Sequence, residues 1–157
     1  MYQDFKELLS ILNDHKVEYL IVGGYAVSFH AQPRATKDLD VLIKPDMANA
    51  TALYRALEKF GAPLEGLTPG DFIEQGSFFR MGTPPVMLDI LPEISGVEFD
   101  GAWQKRVEVT IDAKAELKAW FISADDLIAA KLAAGRAQDL ADVEALRDAK
   151  GKDAMRQ

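Results

Sequence analysis

The segment Asp38-Leu39-Asp40-Val41-Leu42-Ile43 constrains this chain more than any other. A β-strand sends residues i and i+2 to the same face. An apolar run with acids at that spacing therefore presents both carboxylates together while Leu39 and Val41 pack behind them. Two like charges beside an apolar layer are costly unless a cation compensates them. A third acid, Asp89, interrupts a second apolar run, Val86-Met87-Leu88-Asp89-Ile90-Leu91. Taken singly, each has an ordinary explanation: Asp38 caps a loop, Asp40 lies on a solvated edge face, Asp89 pairs with a lysine. Taken together they point to a divalent cation, because ionised groups in such strands rarely go unpartnered. Oxygen donors without Cys or paired His favour Mg²⁺ or Mn²⁺ over zinc. Two such ions can activate the attacking oxygen and stabilise the leaving oxygen of an in-line phosphoryl displacement.

Upstream, Tyr19-Leu20-Ile21-Val22 reads as a short strand ending on Gly23-Gly24, and Tyr25 to His30 starts a short helix. The glycine pair matches neither G-x-x-x-x-G-K-[S/T] nor G-x-G-x-x-G, and an ordinary tight turn is its commonest meaning. Its position matters more. Glycines feeding a helix N-terminus leave backbone N–H groups open to an anion. Metal ligands beside an anion cradle imply a nucleotide.

The rest of the chain reads as alternating helices and strands. Phe5, Leu8, Leu9 and Leu12 have helical spacing within Asp4 to Asn13. Pro33 to Lys37 is a polar loop, and Asp46 caps a helix over Ala48 to Phe60 that stops at Gly61. Gly61 to Gly76 is the longest loop. Strands Ser77–Met81 and Val86–Leu91 flank a Gly82-Thr83-Pro84-Pro85 turn, a short helix covers Phe99 to Arg106, and Val107–Ile111 with Leu117–Phe121 forms a hairpin. Ser123 opens a helix filled by Asp126 to Ala134, Gly135 breaks it, and Arg136 to Lys150 is the last helix. This predicts one α/β (α+β) domain over residues 1–150, with a mixed sheet of about four to six strands, helices on one side and a C-terminal helical pair. Residues 151–157 should be a frayed polar tail.

Bulk properties narrow the function classes. With 157 residues, 48% hydrophobic and 27% charged, the chain can bury a core and is not a disordered segment. A net charge of −7 disfavours duplex DNA, which needs clustered Lys and Arg. No apolar run reaches membrane-span length, and Met1-Tyr2-Gln3-Asp4 lacks a signal pattern. The absence of cysteine excludes disulfides and thiolate chemistry. The expected location is the cytoplasm.

Val22-Gly23-Gly24-Tyr25-Ala26-Val27 followed by Arg34-x-Thr36-x-Asp38-x-Asp40-Val41 resembles the signature of the nucleotidyltransferase superfamily with the DNA polymerase β-like fold. The small bacterial members, including AbiE-type toxins and aminoglycoside-modifying enzymes, are the most similar. Asp126-Leu127-x-x-x-Lys131 and Arg136-x-x-Asp139-x-x-Asp142 look like the closing helices of the AbiE-type toxins. The resemblance implies that Gly23 and Gly24 hold an NTP triphosphate and that Asp38 and Asp40 bind both metals. It implies that Asp89 binds the catalytic metal and helps to deprotonate an acceptor hydroxyl. Arg34, Thr36 and Lys37 would reach nucleotide or acceptor, Lys131 would bind the triphosphate, and Asp139 would orient it. Gly24 stands where a serine hydroxyl often contacts phosphate, so backbone contacts would replace it.

The implied activity is Mg²⁺-dependent transfer of an NMP to a tRNA 3′ end, a protein or a small molecule such as an aminoglycoside. A toxin of this kind would have a cognate antitoxin. Other readings remain. On spacing alone Arg136, Asp139 and Asp142 form an exposed ion-pair ladder. A non-catalytic nucleotide-binding or interaction module is disfavoured by the presence of all three acids. A helix-turn-helix is disfavoured by Asp139, Asp142, Glu144 and Asp148 on its second helix. Trp103, Trp120, Phe78 and Phe79 read as core, and His15 and His30 as helix-surface or loop residues.

Overall fold

A computed structural model describes residues 1–83 and 86–156. Its strands are β1 (Tyr19–Val22), β2 (Asp38–Ile43), β3 (Phe79–Thr83), β4 (Val86–Leu91), β5 (Val107–Asp112) and β6 (Leu117–Phe121). They form one mixed sheet in the order β3-β4-β2-β1-β6-β5. The central pair β1–β2 is antiparallel, the flanking pairs β2–β4 and β1–β6 are parallel, and β3–β4 and β5–β6 at the edges are antiparallel. The helices are α1 (Gln3–Asp14), α2 (Gly23–His30), α3 (Met47–Phe60), α4 (Phe99–Gln104), α5 (Ala124–Ala134) and α6 (Ala137–Arg156).

Helical spacing in α1 and strand alternation in β2 and β4 build one core. Phe5, Leu8, Leu9 and Leu12 of α1 are buried, as are Leu53, Ala56 and Leu57 of α3. They cluster with Leu39, Val41 and Ile43 of β2 and with Leu88 and Ile90 of β4. Each of these Leu, Ile, Val and Phe side chains contributes about 2 kcal/mol by leaving water. With this face of the sheet committed to the core, Asp38, Asp40 and Asp89 must emerge on the other.

The caps behave as their residue types dictate. Asp46 accepts a hydrogen bond from the Asn49 N–H at 2.7 Å, and Gly61 ends α3 at φ 95°. Ser123 Oγ accepts from the Asp126 N–H at 3.1 Å, and Gly135 ends α5 at φ 68°. Both are left-handed conformations that glycine adopts without steric cost.

Several boundaries differ from the expected ones. Helix α2 begins at Gly23 itself, not at Tyr25, so the glycines form its first turn. The segment Gly61–Gly76 is not structureless: Pro69–Ile73 forms a 3-10 turn held by a reciprocal Thr68–Asp71 capping box, with Phe72 buried in the core. Strand β3 is displaced to Phe79–Thr83, so Gly82 and Thr83 belong to it, and Pro84 and Pro85 of the expected turn lie outside the described residues. Helix α4 stops at Gln104, and Arg106 folds its guanidinium between Trp103 and Trp120, 4.0 and 4.5 Å from their ring centroids. The supposed tail is helical through Arg156. Helix α6 continues through Gly151 to Arg156, the glycine's cost of about 1 kcal/mol being offset by good helix formers around it, Lys150, Lys152 and Ala154. Among the described residues no helix is long and apolar enough to cross a membrane.

Candidate active site

Strand register assembles the acids. Val22 on β1, Asp40 on β2, Asp89 on β4 and Arg80 on β3 are cross-strand partners, so they form one rung across the sheet. Asp38 lies two residues before Asp40, opposite Met87. Burial, then the Asp89 charge, a hydrogen bond shared with Asp89 and the Asp38 charge push the Asp40 carboxyl up to about 7, while the Lys131 charge pulls it back. Among the described residues no cation makes an ion pair with Asp38 or Asp40.

Asp89 does have a partner, and it is an arginine where the bland expectation was a lysine. Arg80 Nε and Nη2 donate to Asp89 Oδ1 and Oδ2 at 2.6 and 2.9 Å, a two-toothed pair of the strong charge-assisted kind. Asp89 is 7% exposed. Arg80 was missed from the sequence because one arginine among Ser77-Phe78-Phe79-Arg80-Met81 reads as an ordinary edge-strand charge. Strand alternation placing it opposite Asp89 was the signal that could have found it.

Beside the rung lies the anion cradle. Gly23 has φ +68°, and a Cβ built there would strike the Asp40 carboxylate. Only glycine lets the start of α2 approach the acid this closely. A Cβ at Gly24 would come within 3.0 Å of Thr36 Cγ2 and 3.1 Å of Thr36 Oγ1, with Arg34 Nη2 at 3.6 Å. The loop carrying Arg34 and Thr36 therefore folds over the first turn of α2. Val22 caps that turn with no side-chain hydrogen bond, which leaves its N–H groups open to an anion.

The far wall carries the cations. Lys131 Nζ lies 2.9 Å from Asp142 Oδ2 and 3.3 Å from Asp139 Oδ1. Arg34 Nη1 donates to Asp142 Oδ1 at 2.7 Å, and Arg136 Nε donates to Asp139 Oδ2 at 2.7 Å. Asp139 and Asp142 are 2% and 3% exposed, so the ladder expected from spacing has buried acids, and it joins α5, α6 and the Arg34 loop while Arg136 stays exposed. The hydrogen bond from Arg136 holds Asp139 below the usual carboxylate range. For Asp142, burial pushes the carboxyl up, but hydrogen bonds from Lys131 and Gln138 and the charges of Lys131 and Arg34 leave it lowered.

Gly23, Gly24, Arg34, Asp40, Lys131, Arg136 and Asp139 share the lining of one cleft of about 480 Å³. Leu91, Ile94, Leu127, Ala130 and Ala134 give it an apolar side. Beside that side, a Cβ on Gly96 would meet Ala133 Cβ at 2.7 Å, so the 94–97 turn rests directly on α5. Thr36 abuts Gly24 at the rim. Lys37 is exposed and does not line the cleft.

Three further expectations need correction. Phe78 is 59% exposed, not core, because β3 is the edge strand and Phe78 precedes its first residue. Trp103 and Trp120 are only partly buried, flanking Arg106 at the periphery of the core. His30 is tied into the fold, Nε2 lying 2.6 Å from the Ile122 carbonyl, and burial lowers its basicity.

Among the described residues no three His, Cys, Asp or Glu side chains converge into a ready-made metal cage. The donor set nevertheless suits a hard divalent cation. It is all oxygen, and Asp38 and Asp40, which have no ion-pair partner among the described residues, supply carboxyls that such an ion would hold ionised.

The chain belongs to the family described as "Nucleotidyltransferase of unknown function (DUF6036)", which it matches over residues 1–148. Comparison with curated proteins finds no match. Among solved structures it is similar to the crystal structure of the lincosamide antibiotic adenylyltransferase LnuA bound to lincomycin, at 17% identity and a TM-score of 0.59. That similarity covers 94% of this chain and 96% of the other. The superfamily and fold expected from the Gly23-to-Asp40 signature are both borne out.

Proposed function

We propose that this member of a nucleotidyltransferase family transfers a nucleoside monophosphate from an NTP to an acceptor hydroxyl, with Mg²⁺ or Mn²⁺, and releases pyrophosphate. The supporting observation is that one cleft joins Asp40 to the glycine-led start of α2 and to Arg34, Lys131 and Arg136. Asp38 and Asp40 would hold both ions and Asp89 one of them; a bound ion there supplies charge neutralisation and a more reactive oxygen. The N–H groups of Gly23 and Gly24 and the cations Arg34, Lys131 and Arg136 bind the triphosphate. Asp139 and Asp142 orient those cations. The α-phosphorus then faces the Asp40–Asp89 rung. The acceptor oxygen bonds to that phosphorus as the bond to the β-phosphate bridging oxygen breaks. Asp89 takes the acceptor proton, and the departing pyrophosphate charge is met by Lys131 and its neighbours. Positioning and charge matching supply the rate.

The catalytic unit is residues 1–150, and a cytoplasmic setting supplies the NTP. For the acceptor, the lincomycin-bound adenylyltransferase supports a small hydroxyl-bearing molecule over a tRNA 3′ end, a protein or a toxin's target. The test incubates the protein with Mg²⁺ and each α-labelled NTP, alone and with lincosamides, aminoglycosides or total tRNA. Label transfer with pyrophosphate release is the expected result. A folded protein that binds no NTP in the presence of metal and labels no acceptor overturns the proposal. Labelling of tRNA alone would replace the small-molecule acceptor and make a search for a cognate antitoxin worthwhile.

A further inference from the structure

The rung that gathers the acids ends on a cation. Arg80 projects from the edge strand β3 directly opposite Asp89, and its fork engages both carboxylate oxygens, at 2.6 and 2.9 Å. Asp89 in turn shares a hydrogen bond with Asp40. Within the three-acid group Arg80 is therefore the only ion-pairing cation among the described residues, and it holds the acid that the reaction uses as base. Its side chain is 52% exposed, so nothing packed around it prevents it from leaving. A second seat lies beside it: the exposed ring of Phe78 has the Arg80 guanidinium carbon 5.8 Å from its centroid, within cation–π range.

We propose that Arg80 is a positioning residue that serves as the built-in counter-ion of the acid group, which a divalent cation must displace from Asp89 before the site is complete. The inference rests on the metal-dependent reading of this site. A carboxylate offers about four lone-pair positions, and the two-toothed fork takes one on each oxygen. A metal ion approaching Asp89 meets those occupied positions and also the repulsion of a full positive charge a few ångströms away. Displaced, the guanidinium moves toward Phe78 and solvent, and the freed Asp89 oxygens serve the ion and the acceptor proton. Arg80 thus holds metal affinity down in the empty site while keeping the Asp89 carboxylate in one orientation. Lysine at this position would keep the charge but could not hold both oxygens in a planar fork.

The test measures Mn²⁺ affinity by titration calorimetry on the full chain, without nucleotide, at fixed pH and ionic strength. Wild type, Arg80→Ala and Arg80→Lys are compared, with circular dichroism as a check on folding. The expected result is Mn²⁺ binding about tenfold or more tighter in Arg80→Ala, with Arg80→Lys between it and wild type. Equal or weaker binding in a folded Arg80→Ala overturns the assignment of Arg80 alone and leaves the metal site standing. Absence of binding in all three proteins overturns the metal reading and this inference together. Should Arg80→Ala fail to fold, Arg80→Lys decides: tighter binding than wild type supports the proposal, and unchanged or weaker binding ends it.

Discussion

The two ends of the candidate site treat charge in opposite ways. At the cation end, Arg34, Lys131 and Arg136 are each matched by Asp139 or Asp142, and both acids are buried. At the acid end, Asp38 and Asp40 have no ion-pair partner among the described residues, and Asp89 has only the half-exposed Arg80. A buried charge that is fully paired belongs to the fold, since breaking the pair leaves a desolvated ion behind. A clustered charge left unpaired opposes the fold and is relieved only by something that binds. The cation end is thus preorganised to receive an anion, and the acid end is left to be completed by a cation.

This contrast makes unlike predictions for equally conservative changes. The largest effect should come from the acid end and fall on activity. Asp38→Asn with Asp40→Asn should reduce nucleotidyl transfer by a factor of about a thousand or more, corresponding to roughly 4 kcal/mol of lost transition-state stabilisation. The same double variant should melt at or above the wild-type temperature without metal, because like-charge repulsion is removed. Label transfer and thermal melting on one preparation check both. A variant that unfolds would make these acids structural and erase the contrast.

At the cation end stability should suffer first. Asp142→Ala takes from Lys131, whose side chain is 14% exposed, the nearer of its two acids, leaving Asp139 at 3.3 Å, and frees Arg34. Its cost should be about 3 kcal/mol, at the low end for a broken buried pair because Arg34 is a third exposed. Urea unfolding reads this directly, with the midpoint shifting and the slope unchanged. The glycines offer a finer comparison. Gly23→Ala and Gly61→Ala both place a Cβ on a residue of positive φ, at about 1–2 kcal/mol each. Only at Gly23 does the new atom meet the Asp40 carboxylate, whereas nothing lies within 4 Å at Gly61. Gly23→Ala should therefore lose transfer activity as well as stability, and Gly61→Ala stability alone. Assays of the two variants side by side would fail the prediction if both retain transfer.

How far each end was legible in the sequence follows from the range of the interactions that make it. Asp38 and Asp40 declare themselves because strand alternation is local, and the apolar neighbours Leu39 and Val41 say which face is buried. The caps Asp46 and Ser123 and the spacing of Phe5, Leu8, Leu9 and Leu12 are local in the same sense. Arg34 and Asp142 are 108 positions apart, and no period relates them. Their burial depends on how α6 docks against the Arg34 loop, so charges at i and i+3 read as a solvated ladder. Arg80 was hidden for a related reason, since its partner is known only once β3 and β4 are paired in register. The 3-10 turn at Pro69–Ile73 did have a local sign, Thr68-x-x-Asp71. Surrounding Gly and Pro obscured it.

The smallest expected effect also bears most directly on the comparison. Asp142 is held below the ordinary carboxylate range despite its burial, by Lys131, Gln138 and Arg34. For a carboxylate with a lowered folded-state pKa, the unfolded chain takes up its proton first, at about 3.9. The stability this group supplies is therefore fully present above that pH and is lost as pH falls toward the lower folded-state value. Asp142→Asn keeps the shape but removes the charge, so the variant should start less stable at neutral pH and lose less on acidification. Urea midpoints between pH 7 and pH 3 should converge for the two proteins below about pH 4. A constant gap across that range would mean that Asp142 acts through packing and not through its charge. The cation end would then be an ordinary piece of core, and its opposition to the acid end would no longer be electrostatic.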